Sequence, residues 1–125
     1  GVLIQFGLER MGAIGAIYTL GTPNVSVGWV AHVVHSALFG ALFGLVVDRP
    51  AFDALTARPA TSTGLGAAYA ATLWLTNVVL GWPILLSAVG MPGAPAVPFV
   101  SLPALVGHVF YGAVTGGVFA VVRDR

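Results

Sequence analysis

Long apolar runs separated by short polar segments dominate the sequence. Three of them cover residues 27–47, 64–89 and 102–122, and each is long enough to cross the hydrocarbon core of a bilayer, which takes about 20 residues. Isolated strands cannot satisfy their backbone polar groups in lipid, so each run is expected to be a helix. The pattern therefore predicts an all-α integral membrane protein.

The first 20 residues are also apolar, except for Glu9 and Arg10. Because charge inside lipid is costly, we expect residues 1–8 to end a truncated first span, with the charged pair at the interface. Residues 11–20 would then form an interfacial or re-entrant helix. In the alternative, residues 1–20 form one span whose charged pair faces the bundle interior. Since the chain opens inside an apolar run rather than with Met, we expect its natural N-terminus to lie upstream.

An internal repeat emerges when His32 is aligned with His108. HVVHSALFGALFGLVVDR (32–49) matches HVFYGAVTGGVFAVVRDR (108–125) without a gap. The shared histidine and the shared Asp-Arg ending carry more weight than matches of Val, Ala or Gly. The repeat predicts that two helical hairpins lie in parallel orientation in the membrane.

We therefore predict a single transmembrane domain over residues 1–125. Its fold class is an all-α bundle of four helices, with the first span truncated at the N-terminus. Repeat 1 covers about residues 1–49 and repeat 2 covers about residues 64–125.

Each repeat contains a row of small residues spaced by four, and such a row lies on one helix face. Helices in lipid associate by close backbone approach through small residues. We expect the two rows to face protein and to pack against each other, which would bring the two aligned histidines together. The rows are His32, Ser36, Gly40 and Gly44 in the first repeat and His108, Gly112, Gly116 and Ala120 in the second.

The simplest role for His32 and His108 is hydrogen bonding between helices, with His35 and Tyr111 at the equivalent i+3 positions as their neighbours. The alternative is a functional site, because ionisable residues inside membranes often have functions. Such a site would hold haem b through two axial imidazoles, or a quinone, or it would relay protons. Helices closed tightly on glycine leave little room for a porphyrin, so we expect no cofactor. No carboxylate lies at the depth of the histidines, so we also expect no metal.

Composition agrees with a membrane location. Hydrophobic residues make up 58% and charged residues 7% of the chain, whereas soluble domains carry about 25% charged residues. A net charge of +1 gives no basic surface for nucleic acid, so nucleic acid is excluded as a partner. The absence of Cys excludes disulfides and thiolate metal sites.

Arginine placement predicts the orientation. We expect the chain to cross the plasma membrane several times. The positive-inside rule then puts the 48–63 loop and the C-terminus in the cytoplasm. Within that loop, Thr61, Ser62 and Thr63 are the predicted N-caps of the next span. The opposite loop, residues 90–103, has four prolines and no charge. We expect it to lie on the membrane surface or against a neighbouring protein.

Few other polar groups lie within the predicted spans. Asn77, with Thr72 and Thr76, is predicted to form hydrogen bonds across helices. No P-loop, nucleophile elbow, HExxH or dinucleotide-binding pattern is present. The protein is therefore not expected to be an enzyme.

The segments GWVAHVVHSALFGALFG and GHVFYGAVTGGVFA resemble a family of small, uncharacterised four-helix membrane proteins of halophilic archaea. Members often carry the automatic label "histidine kinase". That label does not fit this chain, because a kinase needs a soluble nucleotide-binding domain. The resemblance implies an association with respiratory oxidase components and no established activity.

Three functions remain open. The leading hypothesis is a non-catalytic accessory or structural subunit of a larger membrane complex, in contact with the lipid bilayer and with other membrane subunits or further copies of itself. The second is a haem b, quinone or proton-relay protein that uses His32 and His108. The third is a small transporter or channel, for which only Asn77, the threonines and the histidines could line a path.

Overall fold

The computed structural model describes residues 2–123, and for residues 2–6 and Leu8 it describes the backbone alone. Helices account for all of its regular structure within that range, so the all-α prediction is confirmed there. The elements are α1 (Val2–Tyr18), α2 (Val25–Val47), a 3-10 turn (Pro50–Phe52), α3 (Asp53–Thr56), α4 (Pro59–Leu73), a π-helical segment (Trp74–Gly81), α5 (Trp82–Ala88) and α6 (Leu102–Val122).

Three helical stretches are long and apolar enough to cross a membrane. They are Val25–Val47, Pro59–Ala88 and Leu102–Val122, and they match the three predicted spans. The second combines α4, the π-helical segment and α5. Its 30 residues exceed the roughly 20 that a bilayer needs, so this span has room to tilt. These helices indicate a multi-pass membrane protein in contact with lipid.

The N-terminal helix differs from the preferred prediction. α1 runs without a break through Glu9 and Arg10, as in the alternative of one continuous helix. Both residues are good helix formers, so nothing local interrupts the helix. The guanidinium of Arg10 lies 5.9 Å from the ring centre of Trp82 and 5.1 Å from that of Phe99, which partly covers the charge. The position of α1 relative to the bilayer stays a prediction.

The start of the second span also differs from the prediction. α4 begins at Pro59, so the proposed N-caps Thr61, Ser62 and Thr63 lie inside the helix and that prediction is wrong. Proline suits the first helical position, because its fixed φ fits a helix and its missing N–H would have no partner there. The hydroxyl of Thr61 instead donates to the carbonyl of Arg58.

A π-helical segment, Trp74–Gly81, interrupts the regular α-helix of this span. Pro83 follows shortly afterwards, in the first turn of α5. Within a helix, proline removes one backbone hydrogen bond and its ring clashes with the carbonyl four residues earlier. Wider turns just before Pro83 relieve that conflict, which gives the segment a local cause.

The helices belong to two compact units. Within the described residues, unit 1 comprises the chain up to Leu38 together with Leu80–Phe99, and unit 2 comprises Phe39–Val79 and the chain from Val100 onward. Each unit takes residues from both halves of the sequence. The predicted repeat boundaries therefore stay a prediction, and the Asp-Arg ending of the second repeat lies outside the described residues.

In unit 1, α1 and the first turns of α2 approach each other backbone to backbone. A Cβ atom on Gly15 would overlap the carbonyl oxygen of Asn24, and one on Gly28 would overlap that of Met11. Asn24 also starts α2, because its side-chain oxygen accepts from the backbone N–H of Val27 at 3.0 Å. The connection between α1 and α2 is therefore fixed by the close contacts at the two glycines and by the capping hydrogen bond of Asn24.

Candidate functional site

The closest helix contact in unit 2 joins α4 to α6. Gly66, Gly112 and Gly116 are all buried in it. A Cβ atom on Gly66 would overlap the carbonyl oxygen of Gly112, and one on Gly116 would overlap the carbonyl oxygen of Ser62. The buried hydroxyl of Ser62 donates to the carbonyl of Gly116 at 2.6 Å. The two backbones therefore touch directly, and only small residues fit between them.

This arrangement differs from the prediction that the two repeat rows pack against each other. The α6 row does face protein, since Gly112, Gly116 and Ala120 are buried. However, its partner is a row on α4, not the row on α2. The spacing of four that Ser62, Gly66 and Ala70 share was present in the sequence and could have indicated this partner.

The α2 row meets aromatic side chains instead. The hydroxyl of Tyr111 lies 3.2 Å from where a Cβ atom on Gly40 would be, and a ring carbon of Phe119 lies 3.9 Å from the corresponding point on Gly44. Both glycines are half-buried. The second half of α2 thus approaches α6 through rings rather than through backbone.

Three aromatic rings form a cluster in unit 2. Phe43 is 1% exposed, and its ring centre lies 5.3 Å from that of Tyr69 and 5.9 Å from that of Phe119. These separations are typical of tilted and edge-to-face pairs. The hydroxyl of Tyr69 donates to the carbonyl of Phe39 at 2.8 Å. The cluster and this bond attach α2 to α4 and α6.

His108 lies in unit 2, half-buried on α6. Its Nδ1 is 2.8 Å from the carbonyl oxygen of Ala104 on the same helix. A carbonyl only accepts, so Nδ1 carries the proton and, in a neutral ring, Nε2 is the basic nitrogen. This tautomer is the one that metal-ligating histidines commonly adopt.

His32 and His35 lie in unit 1. Nε2 of His35 is hydrogen-bonded to the hydroxyl of Tyr18, which sequence reasoning did not connect to it. The exposed ring of His32 meets Trp29 edge-on, with ring centres 6.0 Å apart. Ser36 donates its hydroxyl to the carbonyl of His32 at 2.8 Å. Its hydroxyl thus has a partner on its own helix.

The two aligned histidines belong to different compact units. Their meeting, and any haem held between them, therefore stays a prediction. Among the described residues, no group of three or more His, Cys, Asp or Glu side chains is placed to hold a metal ion.

Thr72 and Thr76 bond within their own helix, contrary to the prediction that they bond across helices. The hydroxyl of Thr72 donates to the carbonyl of Ala68 at 3.1 Å, and that of Thr76 to the carbonyl of Thr72 at 3.0 Å. Both bonds stay within one helix, as is common for threonine. Asn77 is exposed, and its side chain makes no hydrogen bond within the described part of the chain.

An ion pair joins the end of α6 to the short helix α3. The guanidinium of Arg123 lies 2.9 Å from a carboxylate oxygen of Asp53 and also donates to the hydroxyl of the fully buried Thr56. α3 lies within the 48–63 loop, which is thereby held against the last span. Orientation of this loop toward the cytoplasm stays a prediction.

Comparison of the chain with protein-family models, curated proteins and solved structures finds no match in any of the three. The resemblance to the small four-helix membrane proteins of halophilic archaea therefore stays a prediction.

Proposed function

We propose that this protein is a non-catalytic accessory subunit of a larger membrane assembly, bound to its partners by contacts inside the bilayer. The resemblance described from sequence favours a respiratory assembly. The observation that carries the proposal is the exposed amide of Asn77.

Asn77 lies close to the middle of the span Pro59–Ala88. At 1.5 Å per residue it is roughly 5 Å from the centre of that helix. Transfer of an amide from water into hydrocarbon without a hydrogen bond costs about 4 to 8 kcal/mol of free energy. A partner helix that bonds the amide removes this penalty, whereas acyl chains cannot. The surface of the span around Asn77 is therefore suited to contact with a polar group of another protein in the membrane.

Purification from mild detergent tests the proposal. We expect the natural chain to recover stoichiometric membrane partners, and Asn77→Leu to lose them. Asn77→Gln should keep them, because it preserves the amide. Thr115→Val is the matched control: it also replaces a polar side chain by an apolar one, but Thr115 bonds within α6 to the carbonyl of Tyr111. A natural chain that purifies as a lone monodisperse monomer would remove the proposal.

A second candidate is ligation of haem b by His108. The bond from Nδ1 to Ala104 leaves Nε2 as the nitrogen that would bind iron, which is the specific observation in its favour. A reduced-minus-oxidised absorption spectrum of the purified protein decides this candidate. A spectrum without an α-band excludes it, and a band that His108→Ala abolishes would support it.

A further inference from the structure

We infer that a groove at the end of α2 binds a zwitterionic phospholipid of the surrounding bilayer, with the lipid phosphate on Arg49 and the lipid ammonium on Asp48. The groove lies in unit 2 and has a volume of about 620 Å³. This inference goes beyond the proposed function, because it concerns a lipid and not a protein partner. The groove is lined by Ala41, Gly44, Leu45, Asp48, Arg49 and Phe119.

The apolar part of the groove follows one face of α2. Its lining residues on this side are three or four positions apart, which places them together on a helix: Ala41, Gly44, Leu45 and Asp48. Gly44 has no side chain to fill the groove, and a ring carbon of Phe119 on α6 lies 3.9 Å from where its Cβ atom would be. From Ala41 to Asp48 the groove extends about 10 Å along the helix. An apolar surface of this length fits the upper part of an acyl chain.

Two unpaired charges of opposite sign lie at the end of the groove. α2 contains no charged residue, and Asp48 and Arg49 follow it directly. Both are exposed, and neither side chain makes a hydrogen bond or an ion pair within the described part of the chain. In the same loop, by contrast, Asp53 is paired with Arg123. A carboxylate at the C-terminal end of a helix is unfavourable for the helix dipole, so the stability of α2 does not explain Asp48.

This pair of charges specifies the lipid headgroup. The guanidinium of Arg49 is suited to a phosphate, to which it can donate two parallel hydrogen bonds. The carboxylate of Asp48 only accepts, so it attracts an ammonium and repels a second negative charge. A headgroup with one phosphate and one ammonium therefore satisfies both residues, whereas a purely anionic headgroup satisfies one. The groove also presents its apolar part and its charged end in the order in which a bilayer lipid presents its acyl chain and its headgroup.

Native mass spectrometry of the protein purified in mild detergent measures the binding of added phosphatidylethanolamine. We expect one tightly bound lipid per chain. Arg49→Gln should weaken binding about tenfold, as expected for the loss of a charge-assisted hydrogen bond. Arg58→Gln is the matched control, because it removes the same charge from the same loop at a residue that does not line the groove. Equal weakening by the two variants, or none by either, overturns the inference.

A second comparison tests the role of Asp48. The natural chain should bind phosphatidylethanolamine more tightly than phosphatidylglycerol, which carries a phosphate but no ammonium. Asp48→Asn removes both the attraction for the ammonium and the repulsion of negative charge, so it should abolish this preference. A natural chain that binds the two lipids equally, or a preference that Asp48→Asn leaves intact, contradicts the inferred headgroup.

A third comparison tests the apolar part of the groove. Ala41→Leu places a larger side chain in the groove and should weaken lipid binding several-fold. Ala68→Leu makes the same change at an exposed position of α4 that does not line the groove, and it should leave binding unchanged. Glycerophosphoethanolamine, the headgroup without acyl chains, should not displace the lipid at equal concentration. Equal binding by the two leucine variants, or displacement by the free headgroup, would show that the groove does not hold the acyl chain.

The lipid measurements are independent of the proposed function. Asn77→Leu, which should lose the protein partners, is expected to bind phosphatidylethanolamine as the natural chain does. Failure of the lipid site therefore leaves the accessory function standing, and recovery of a lone monomer that still binds one lipid leaves the lipid site standing.

Discussion

Gly66 allows α4 and α6 to approach closely, because glycine has a hydrogen atom where alanine has a methyl group. Its Cα faces the backbone of α6 at Gly112, and the nearest atoms there are the carbonyl group. A carbonyl oxygen on a helix cannot move aside without disturbing its own hydrogen bond. The contact between α4 and α6 is therefore sensitive to the smallest possible enlargement.

We expect Gly66→Ala to lower the free energy of unfolding by about 1 to 3 kcal/mol, the usual effect of overpacking a tight contact. Denaturation with SDS in mixed micelles measures it. Gly64→Ala is the matched control two positions away on the same helix. Because its Cβ would enter open space, it should be neutral or stabilising by up to about 1 kcal/mol. Equal destabilisation by both changes would contradict this account of the contact.

Ser62 contributes the hydrogen bond of this contact. Its buried hydroxyl donates to the carbonyl of Gly116, and such bonds between membrane helices are worth about 0.6 to 2 kcal/mol. Ser62→Ala should lower stability by that amount in the same titration. Thr115→Ala removes a hydroxyl bonded within its own helix and should have a smaller effect. A Ser62→Ala variant as stable as the natural protein would argue against this bond.

Among the elements, the second half of α2 is held against α4 and α6 in unit 2 by aromatic side chains. Phe43 is enclosed by Tyr69 and Phe119, so its removal leaves a cavity between helices. Phe43→Ala should lower the free energy of unfolding by about 3 to 5 kcal/mol. Phe110→Ala removes the same group from a position that is 71% exposed and should change stability far less. A similar loss from both variants would show that the cluster does not hold α2.

The elements themselves were largely predictable, but their partners were not. Run length alone located all three spans, because the bilayer imposes a minimum apolar length. The start of α4 was placed five residues late, because the uncharged Pro59 lies beside charged Arg58 and before three hydroxyl residues. Spacing identified the small face of α6 through Gly112 and Gly116. It did not identify the helix opposite, because small faces on α2 and α4 are equally compatible with close packing.

For the candidate site, the sequence indicated residue types better than contacts. It singled out His35 without its partner Tyr18, which lies 17 positions earlier in the chain. It also predicted hydrogen bonds across helices for Asn77, Thr72 and Thr76, whereas the two threonines bond to their own helix and the amide of Asn77 is exposed. Side-chain partners across loops depend on the exact rotation of each helix, and hydrophobic pattern does not fix that rotation.

At the scale of the whole molecule, the positions of the arginines predict the orientation in the membrane. The loop that contains Arg49 and Arg58 is expected in the cytoplasm, and the uncharged loop of residues 90–103 on the outside. Two exposed alanines, Ala57 and Ala96, report on these loops when changed to cysteine in this cysteine-free chain. A membrane-impermeant maleimide applied to intact cells should label Ala96→Cys and not Ala57→Cys. Labelling of Ala57→Cys alone would invert the topology.

The π-helical segment Trp74–Gly81 changes which of its own side chains share a face. Its backbone hydrogen bonds join residues five apart instead of four, so each of its turns holds more residues than a turn of α4. A spacing of four, which keeps small residues on one face of an α-helix, therefore does not keep them on one face within this segment.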